Sequence, residues 1–390
     1  MIWVGVWTAA ALCCSLPGVH AAPASAPTEA AVAPSGASEP TDKASAIAPA
    51  LAPSVPSLAR RSWIKAPRVY GHLTAKDLGL VINTDDPYSV QVGEYYAKVR
   101  GIPDKQVLRV ALPMKATLTR EEFEVFKKQV DEFFGPKVQG LALSWRLPYG
   151  VDCNSITGAL TMGYDAKLCS NTCGVSRSSS YFGSVSTKPF TDYHMRLSML
   201  LAAKDAAAAK VLIDRGVSSD GTLGLRGALP VNAHFVTTSD SVRSVRQVLF
   251  PPAGRNPAVG LNVVLDQTNA LKNADRVVLY ETGLTSVDYL ETIDFVPGAL
   301  ADHLTSFGGV LDGPHGQMTV LSWIDAGASA SYGTTSEPCA HLQKFPHPQA
   351  LTLFYLQGAT ALEAYWKSVA WPQQGLFVGD PLAAPFASRR

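Results

Sequence analysis

The densest set of reactive side chains in the chain is Asp302-His303-Leu304-Thr305-Ser306-Phe307-Gly308-Gly309, with His315 shortly after. A carboxylate, an imidazole and a hydroxyl are the parts of an orienting group, a base and a nucleophile, and Gly-Gly lets backbone amides approach a developing oxyanion. Ser306, His303 and Asp302 are therefore the candidate catalytic residues. Their spacing leaves the geometry open: a helix puts His303 and Ser306 on one face, and an extended segment points them to opposite faces. A capped helix end stopped by glycine explains the same residues without catalysis, and is the reading the segment favours. The second candidate is Cys339 in Glu337-Pro338-Cys339-Ala340-His341, a thiol near an imidazole. A nucleophilic thiolate needs a lowered pKa; nothing in the sequence supplies one, and disulfide use is the stronger expectation.

Polar clusters also follow several apolar runs. Asn83-Thr84-Asp85, Arg146, Glu281-Thr282 and Gly333-Thr334-Thr335-Ser336-Glu337 each stand where a strand should end. Asn83, Asp85, Arg146, Glu281, Thr282, His315, Thr334, Glu337 and Cys339 are the candidate binding residues. Each has an ordinary alternative in helix capping or turn formation. No Gly-rich phosphate loop, His-Glu-x-x-His or Gly-x-Ser-x-Gly occurs, so no cofactor or metal is called for by motif.

The elements that must position these residues alternate strand and helix. Leu78 to Asn83 is a short apolar run, followed by Asp85-Asp86-Pro87, a cap with proline in the first turn. Val92, Tyr95, Tyr96 and Val99 recur at helical spacing until Gly101 and Pro103. A strand is expected near Val107 to Leu112. Thr119-x-x-Glu122 is a capping box for a helix with Phe123, Phe126, Val130 and Phe133 on one face. Further strands are expected at about Val138 to Trp145, His194 to Leu197, Ala233 to Val236, Asn262 to Leu265, Val277 to Tyr280 and Ala328 to Tyr332. Helices are expected at Ala206 to Arg215, after Ser239 or Asp240, at Gln349 to Leu356 and at Ala361 to Val369. Short apolar strands separated by helices imply βαβ units, hence an α/β fold with a mostly parallel sheet and helices on both faces. In such sheets ligands bind at the carboxyl ends of the strands, which is where the polar clusters fall.

Residues 1–21 read as a signal peptide, with Val19-His20-Ala21 as the cleavage site, although no Lys or Arg precedes Lys43. Residues 22–62 read as a disordered linker rich in Ala, Pro and Ser, and residues 63–390 as a single α/β domain. The chain is thus expected to be exported to the periplasm or beyond the cell, with no membrane span after cleavage. A net charge of +1 over 390 residues, without a basic run, argues against a nucleic-acid partner. Cys153, Cys169, Cys173 and Cys339 remain after cleavage. In an oxidising compartment four cysteines read as two disulfides with three pairings open, and zinc ligation is the weaker competitor.

From about Leu78 to Phe386 the chain resembles an uncharacterised family of bacterial exported proteins. The matching stretches are Val81-Ile82-Asn83 with Glu94-Tyr95-Tyr96-Ala97, Arg100-Gly101-Ile102-Pro103, the segment from Pro297 to Gly309, Ser331-Tyr332-Gly333-Thr334, Glu337-Pro338-Cys339, and the segment from Gly375 to Leu382. More distantly, the helix from Ala206 to Arg215 after a short strand, the segment from Gly327 to Thr334 and the closing Gly379-Asp380-Pro381 resemble the gingipain type of cysteine peptidase, in the caspase-like clan. That resemblance implies a three-layer sandwich carrying a His-Gly after one strand and a Cys after the next. Thr282-Gly283 stands at the first position here, and Thr305 or Ser306 near the second. The implied protein keeps the fold without the peptidase dyad and binds a peptide or another envelope component. The alternative is a hydrolase with a relocated nucleophile, Ser306 or Cys339, assisted by His303 or His315.

Overall fold

Six consecutive buried residues make Leu78–Asn83 the first strand, β1, and a buried apolar run is what a strand covered on both faces requires. The Asp86 carboxylate then accepts from the Tyr88 amide at 2.9 Å, Pro87 opens helix α1 (Pro87–Arg100), and Gly101 closes it at φ 66°. The structure is a computed structural model that describes residues 61–313 and 315–388. The expected signal peptide, and the expected linker apart from its last two residues, lie outside the described residues.

The chain continues through β2 (Val107–Val110), β3 (Thr117–Leu118), α2 (Arg120–Phe133), β4 (Gly140–Leu143), β5 (Gly150–Val151) and β6 (Asn154–Ser155). Three short helices, α3 (Ile156–Met162), α4 (Ala166–Ser170) and α5 (Pro189–Tyr193), precede β7 (Leu197–Leu200) and α6 (Ala206–Ser219). Next come β8 (Val231–Thr237), β9 (Gly254–Asn256), β10 (Leu261–Gln267), β11 (Val277–Gly283), β12 (Phe295–Leu304) and α7 (Val320–Ala326). Strand β13 (Ala330–Thr334), helices α8 (Pro348–Leu356) and α9 (Ala361–Ser368), and strand β14 (Gly375–Gly379) complete the described elements. The expected capping box forms at Thr119 and Glu122. Phe133, expected on the buried face of α2, is exposed instead, and Phe134 just past the helix takes the buried place.

Three expectations need correction. The strand expected at His194 to Leu197 starts only at Leu197 and runs to Leu200, because His194 closes α5 in the left-handed region. The segment after Asp240 is a 3-10 helix at Arg243–Leu249, not an α-helix. The Asp240 carboxylate does cap it, accepting from the Val242 and Arg243 amides at 3.1 and 3.0 Å, but the Ser244 hydroxyl turns back onto the Thr238 amide at 3.0 Å. Such side-chain bonds compete with regular helix. The segment containing Asp302 and His303 is not a helix end but part of the ten-residue strand β12, with β11 on one side and β13 on the other.

Eleven strands form one sheet in the order β2-β1-β4-β7-β14-β13-β12-β11-β8-β10-β9. The pairs on either side of β14 are parallel, apart from β9 at the edge. Strand β14 runs antiparallel to β13 over five residue pairs and touches β7 at one parallel pair, Val378 with Leu200. Taken alone, that single pair would turn the two halves of the sheet against each other. The connecting loops outweigh it. After β4, the Tyr149 hydroxyl donates to the Asp312 carboxylate beyond β12 at 2.8 Å. The Ser336 hydroxyl beyond β13 donates to the Cys153 carbonyl at 2.7 Å, and Cys173 is bonded to Cys339. At the start of β14 the Gly375 carbonyl accepts from Ser155 and Thr157 at 2.6 and 2.8 Å. The ends of β4, β12 and β13 and the beginning of β14 therefore share one rim. At the opposite edge, where α1 and α6 have crossed back, Asp380 past the end of β14 takes the Tyr96 hydroxyl at 2.9 Å and pairs with Arg100.

Helices cover both faces, as expected. On one, α6 packs on α1, and the Arg215 guanidinium reaches the Ile324 and Ala328 carbonyls at 3.0 and 2.6 Å. On the other, Trp366 of α9 stacks on Phe377 of β14 with ring centroids 4.4 Å apart. Among the described residues no helix is long and apolar enough to cross a membrane.

The four cysteines pair as Cys153–Cys169 and Cys173–Cys339, which settles the three-way choice and removes the zinc alternative. The second bridge spans 166 residues, the first 16. Closing a longer loop removes more freedom from the unfolded chain. Cys173→Ser with Cys339→Ser is expected to cost about 2–5 kcal/mol, more than Cys153→Ser with Cys169→Ser, measured as urea unfolding midpoints of the oxidised proteins.

Candidate functional site

The ends of β11 and β12 lie side by side, with Glu281 level with Asp302 and Thr282 level with His303. Because successive strand residues face opposite ways, this register sorts the candidates into two groups. Glu281 and Asp302 face the 3-10 segment. There the buried guanidinium of Arg246 lies 3.2 Å from Glu281 and 2.6 Å from Asp302, and also donates to the Thr282 carbonyl at 2.9 Å. All three side chains are at most 1% exposed.

One cation stands between two carboxyls out of water, so burial sets their protonation. Burial raises the Glu281 carboxyl well above its ordinary value, and the neighbouring Asp302 charge raises it further against the pull of Arg246. Burial raises Asp302 as well, and the ion pair with Arg246 opposes that rise. The shorter contact to Arg246 makes Asp302 the ionised partner and Glu281 the proton carrier.

His303 points the other way, into the layer of α7. Trp323 donates its indole N–H to His303 Nδ1 at 2.9 Å, so the ring is neutral and its proton sits on Nε2, 3.1 Å from the Met318 carbonyl. Burial pushes its pKa down to about 3. Both ring nitrogens are occupied, and Asp302 lies on the opposite face of the strand. Asp302, His303 and Ser306 do not converge: no hydrogen bond joins Ser306 to either of the other two.

The remaining candidates are distributed along the rim. Asn83 is buried, accepting from the Leu112 amide at 2.9 Å and donating to the Leu112 carbonyl at 3.0 Å, so it ties the ends of β1 and β2. Asp85 beside it is exposed. Five strand spacings separate β1 from β12, about 24 Å at ~4.8 Å each, which puts Asn83 and Asp85 beyond reach of Ser306. Arg146 donates to the Lys204 carbonyl at 2.7 Å and braces the loops after β4 and β7. The Thr334 hydroxyl donates to the Thr305 and Ser306 carbonyls at 3.1 and 2.9 Å. Glu337 accepts from the Cys339 amide at 2.7 Å. The single pocket expected to gather these residues is not formed.

Cys339 is corrected as a nucleophile, because its sulfur is bonded to Cys173 and a disulfide offers no thiolate. The Gly308-Gly309 pair has a packing role. A Cβ on Gly309 would lie 2.6 Å from the Gly333 carbonyl oxygen, so only glycine lets this loop lie against β13. Gly283 is constrained in the same way, its missing Cβ leaving room for the Arg243 carbonyl.

Residues the sequence did not flag complete the rim. Gln317 accepts from the Thr305 hydroxyl at 2.6 Å and the Phe307 amide at 2.9 Å, folding the loop over the end of β12. Asp312 joins Tyr149 to His315, whose Nε2 lies 3.4 Å away. Arg246 lies in the segment expected to be a helix after Ser239 or Asp240, with no local acidic partner to mark it. Among the described residues no group of His, Cys, Asp and Glu is arranged to hold a metal ion.

No family model and no curated protein matches the chain. Among solved structures it is similar to the Arg-specific cysteine proteinase gingipain R. The TM-score is 0.40 and the identity 10%, over 81% of this chain and 80% of that one. A likeness this loose assigns no role to any residue here.

The raised Glu281 carboxyl makes stability depend on pH with a definite sign. Folding raises the Glu281 pKa above its ordinary 4.5, so the folded state keeps a proton the unfolded state releases. Its contribution is complete below the unfolded pKa and is lost as pH rises toward and through the folded one. Glu281→Gln, which imitates the protonated acid, is expected to flatten the fall in stability as pH rises above about 5, followed by urea unfolding at increasing pH. Arg246→Met, which leaves two buried carboxyls without their cation, is expected to cost about 3–5 kcal/mol at neutral pH.

Proposed function

We propose that this protein is an exported, non-catalytic peptide-binding protein that uses the carboxyl rim of its sheet. The observation that carries this reading is how the reactive side chains are employed. His303 is buried with both nitrogens bonded, Asp302 neutralises Arg246, and Cys339 is in a disulfide. Ser306 is left without a base from that set. The positions where the peptidase resemblance implies His and Cys hold Thr282 and Thr305 or Ser306, and neither threonine nor an unassisted serine replaces an imidazole–thiolate pair.

Export is supported by the two disulfides, which persist in oxidising compartments, and by the signal-like residues 1–21 with the Ala/Pro/Ser-rich stretch after them. The compartment proposed is the periplasm or the extracellular space, and the ligand a peptide of the cell envelope. The near-zero net charge supports neither a nucleic-acid partner nor an anionic surface.

The test uses full-length protein recovered after export and kept oxidised. A fluorophosphonate and iodoacetamide are expected to label neither Ser306 nor Cys339, and a pool of fluorescent peptides is expected to bind saturably and be recovered uncleaved. Heat-sensitive labelling of Ser306, or cleavage of the peptides, would establish the hydrolase alternative instead.

A further inference from the structure

Beside the rim, between the loop at 171–188, the 3-10 segment and the turn entering α8, lies a cavity of about 250 Å³. Phe182, Leu249, Leu342, Phe345, His347 and Ala370 are among its lining residues, and its wall is almost wholly apolar. We infer that this cavity is a binding site for one apolar side chain of a peptide, phenylalanine or leucine in type, whose backbone carbonyl accepts a hydrogen bond from His347. The inference rests on the peptide-binding function proposed above.

Size sets the first limit. Apolar cavities of roughly 150 Å³ take benzene, and sites for drug-sized ligands begin near ~300 Å³. A volume between the two suits a single aromatic or branched aliphatic group.

His347 sets the chemistry. Its Nδ1 accepts from the Ala350 amide at 3.4 Å, capping α8, and burial lowers its pKa and favours the neutral ring. A neutral imidazole that accepts at one nitrogen carries its proton on the other. Nε2 is thus a donor, and no hydrogen bond from it is formed among the described residues. A peptide carbonyl next to an apolar side chain satisfies that donor and the wall together. A lysine or arginine side chain would lose most of its hydration against a wall that exposes little polar surface and carries no carboxylate, its polar side chains being Gln343, His347 and Ser368.

The walls are also held in place before any ligand arrives. The Cys173–Cys339 bond anchors one end of the loop, and Lys344 Nζ donates to the Thr172 carbonyl at 2.5 Å. Lys367 Nζ donates to the Ser184 and Ser186 carbonyls at 2.8 and 2.6 Å, on either side of the exposed Val185. A preformed wall removes much of the ordering cost of binding. Phe182 at the mouth is 40% exposed, and Val248 next to Leu249 is 71% exposed, so apolar surface continues outward from the cavity.

Calorimetric titration of the full-length oxidised protein tests the assignment with N-acetyl-phenylalaninamide, N-acetyl-leucinamide, N-acetyl-alaninamide, N-acetyl-lysinamide and toluene. The phenylalanine or leucine amide is expected to bind at least tenfold tighter than the alanine and lysine amides. Ala370→Phe, which fills the cavity from its partly exposed edge, is expected to abolish that binding with the melting temperature retained. His347→Asn keeps a capping side chain and is expected to weaken the amides about three- to tenfold, the worth of one hydrogen bond, while leaving toluene unchanged. Equal affinity for the lysine and phenylalanine amides, or full binding by a folded Ala370→Phe protein, overturns the site. If these small amides fail while the longer peptides still bind, this cavity is excluded and the peptide-binding function stands; if neither binds, both fall.

Discussion

The guanidinium of Arg246 is the contact on which the rim depends. Fully out of water, it touches the last turns of two neighbouring strands through Glu281 and Asp302, the backbone of one through the Thr282 carbonyl, and the turn before α8 through the Pro346 carbonyl at 3.4 Å. A buried cation is stable only when its charge is answered; here Nε finds no partner among the described residues, and the ion pairs do most of the work. The surrounding carboxylates are therefore committed to it, which is why two acidic side chains at a sheet's carboxyl edge are occupied structurally. The polar character of this edge is an internal brace as much as a surface.

Much of the architecture was legible because the apolar runs were long enough to declare themselves. Leu78–Asn83 and the run from Val277 are continuous hydrophobic strands, and Asp86-Pro87 and Thr119-x-x-Glu122 mark helix starts by capping chemistry that operates within a few residues. Strand β12 escaped recognition because Gly298, Ala299 and Ala301 are small and Asp302 and His303 are polar, so no apolar run or alternation appears. Its extended form is imposed by neighbours on both sides, a tertiary effect that local pattern does not encode. Strand β14 is five residues bounded by glycines, too short to announce itself.

The candidate residues were harder to interpret than the elements that carry them. Asp302 and His303 are adjacent in sequence, and adjacency suggested cooperation; in a strand it guarantees separation, one side chain toward Arg246 and the other toward Trp323. Gly308-Gly309 looked suited to an oxyanion and instead permits close packing on Gly333. The partners that fix these roles, Arg246, Trp323 and Gln317, lie 12 to 56 residues away in the chain. Sequence reading supplied the reactive groups but not the company they keep. The cysteines were the exception, since their chemistry in an oxidising setting points to each other.

The central position of β14 has a consequence for how the molecule is made. Among the described residues every other strand of the sheet precedes it in the chain, yet it lies between β7 and β13 and alone joins the two halves. Neither half can complete its hydrogen bonding along that seam until the last strand arrives. Such long-range closure is slow compared with local folding. Each half can form its own parallel pairs early, but the two are locked into one sheet only when this wedge is in place.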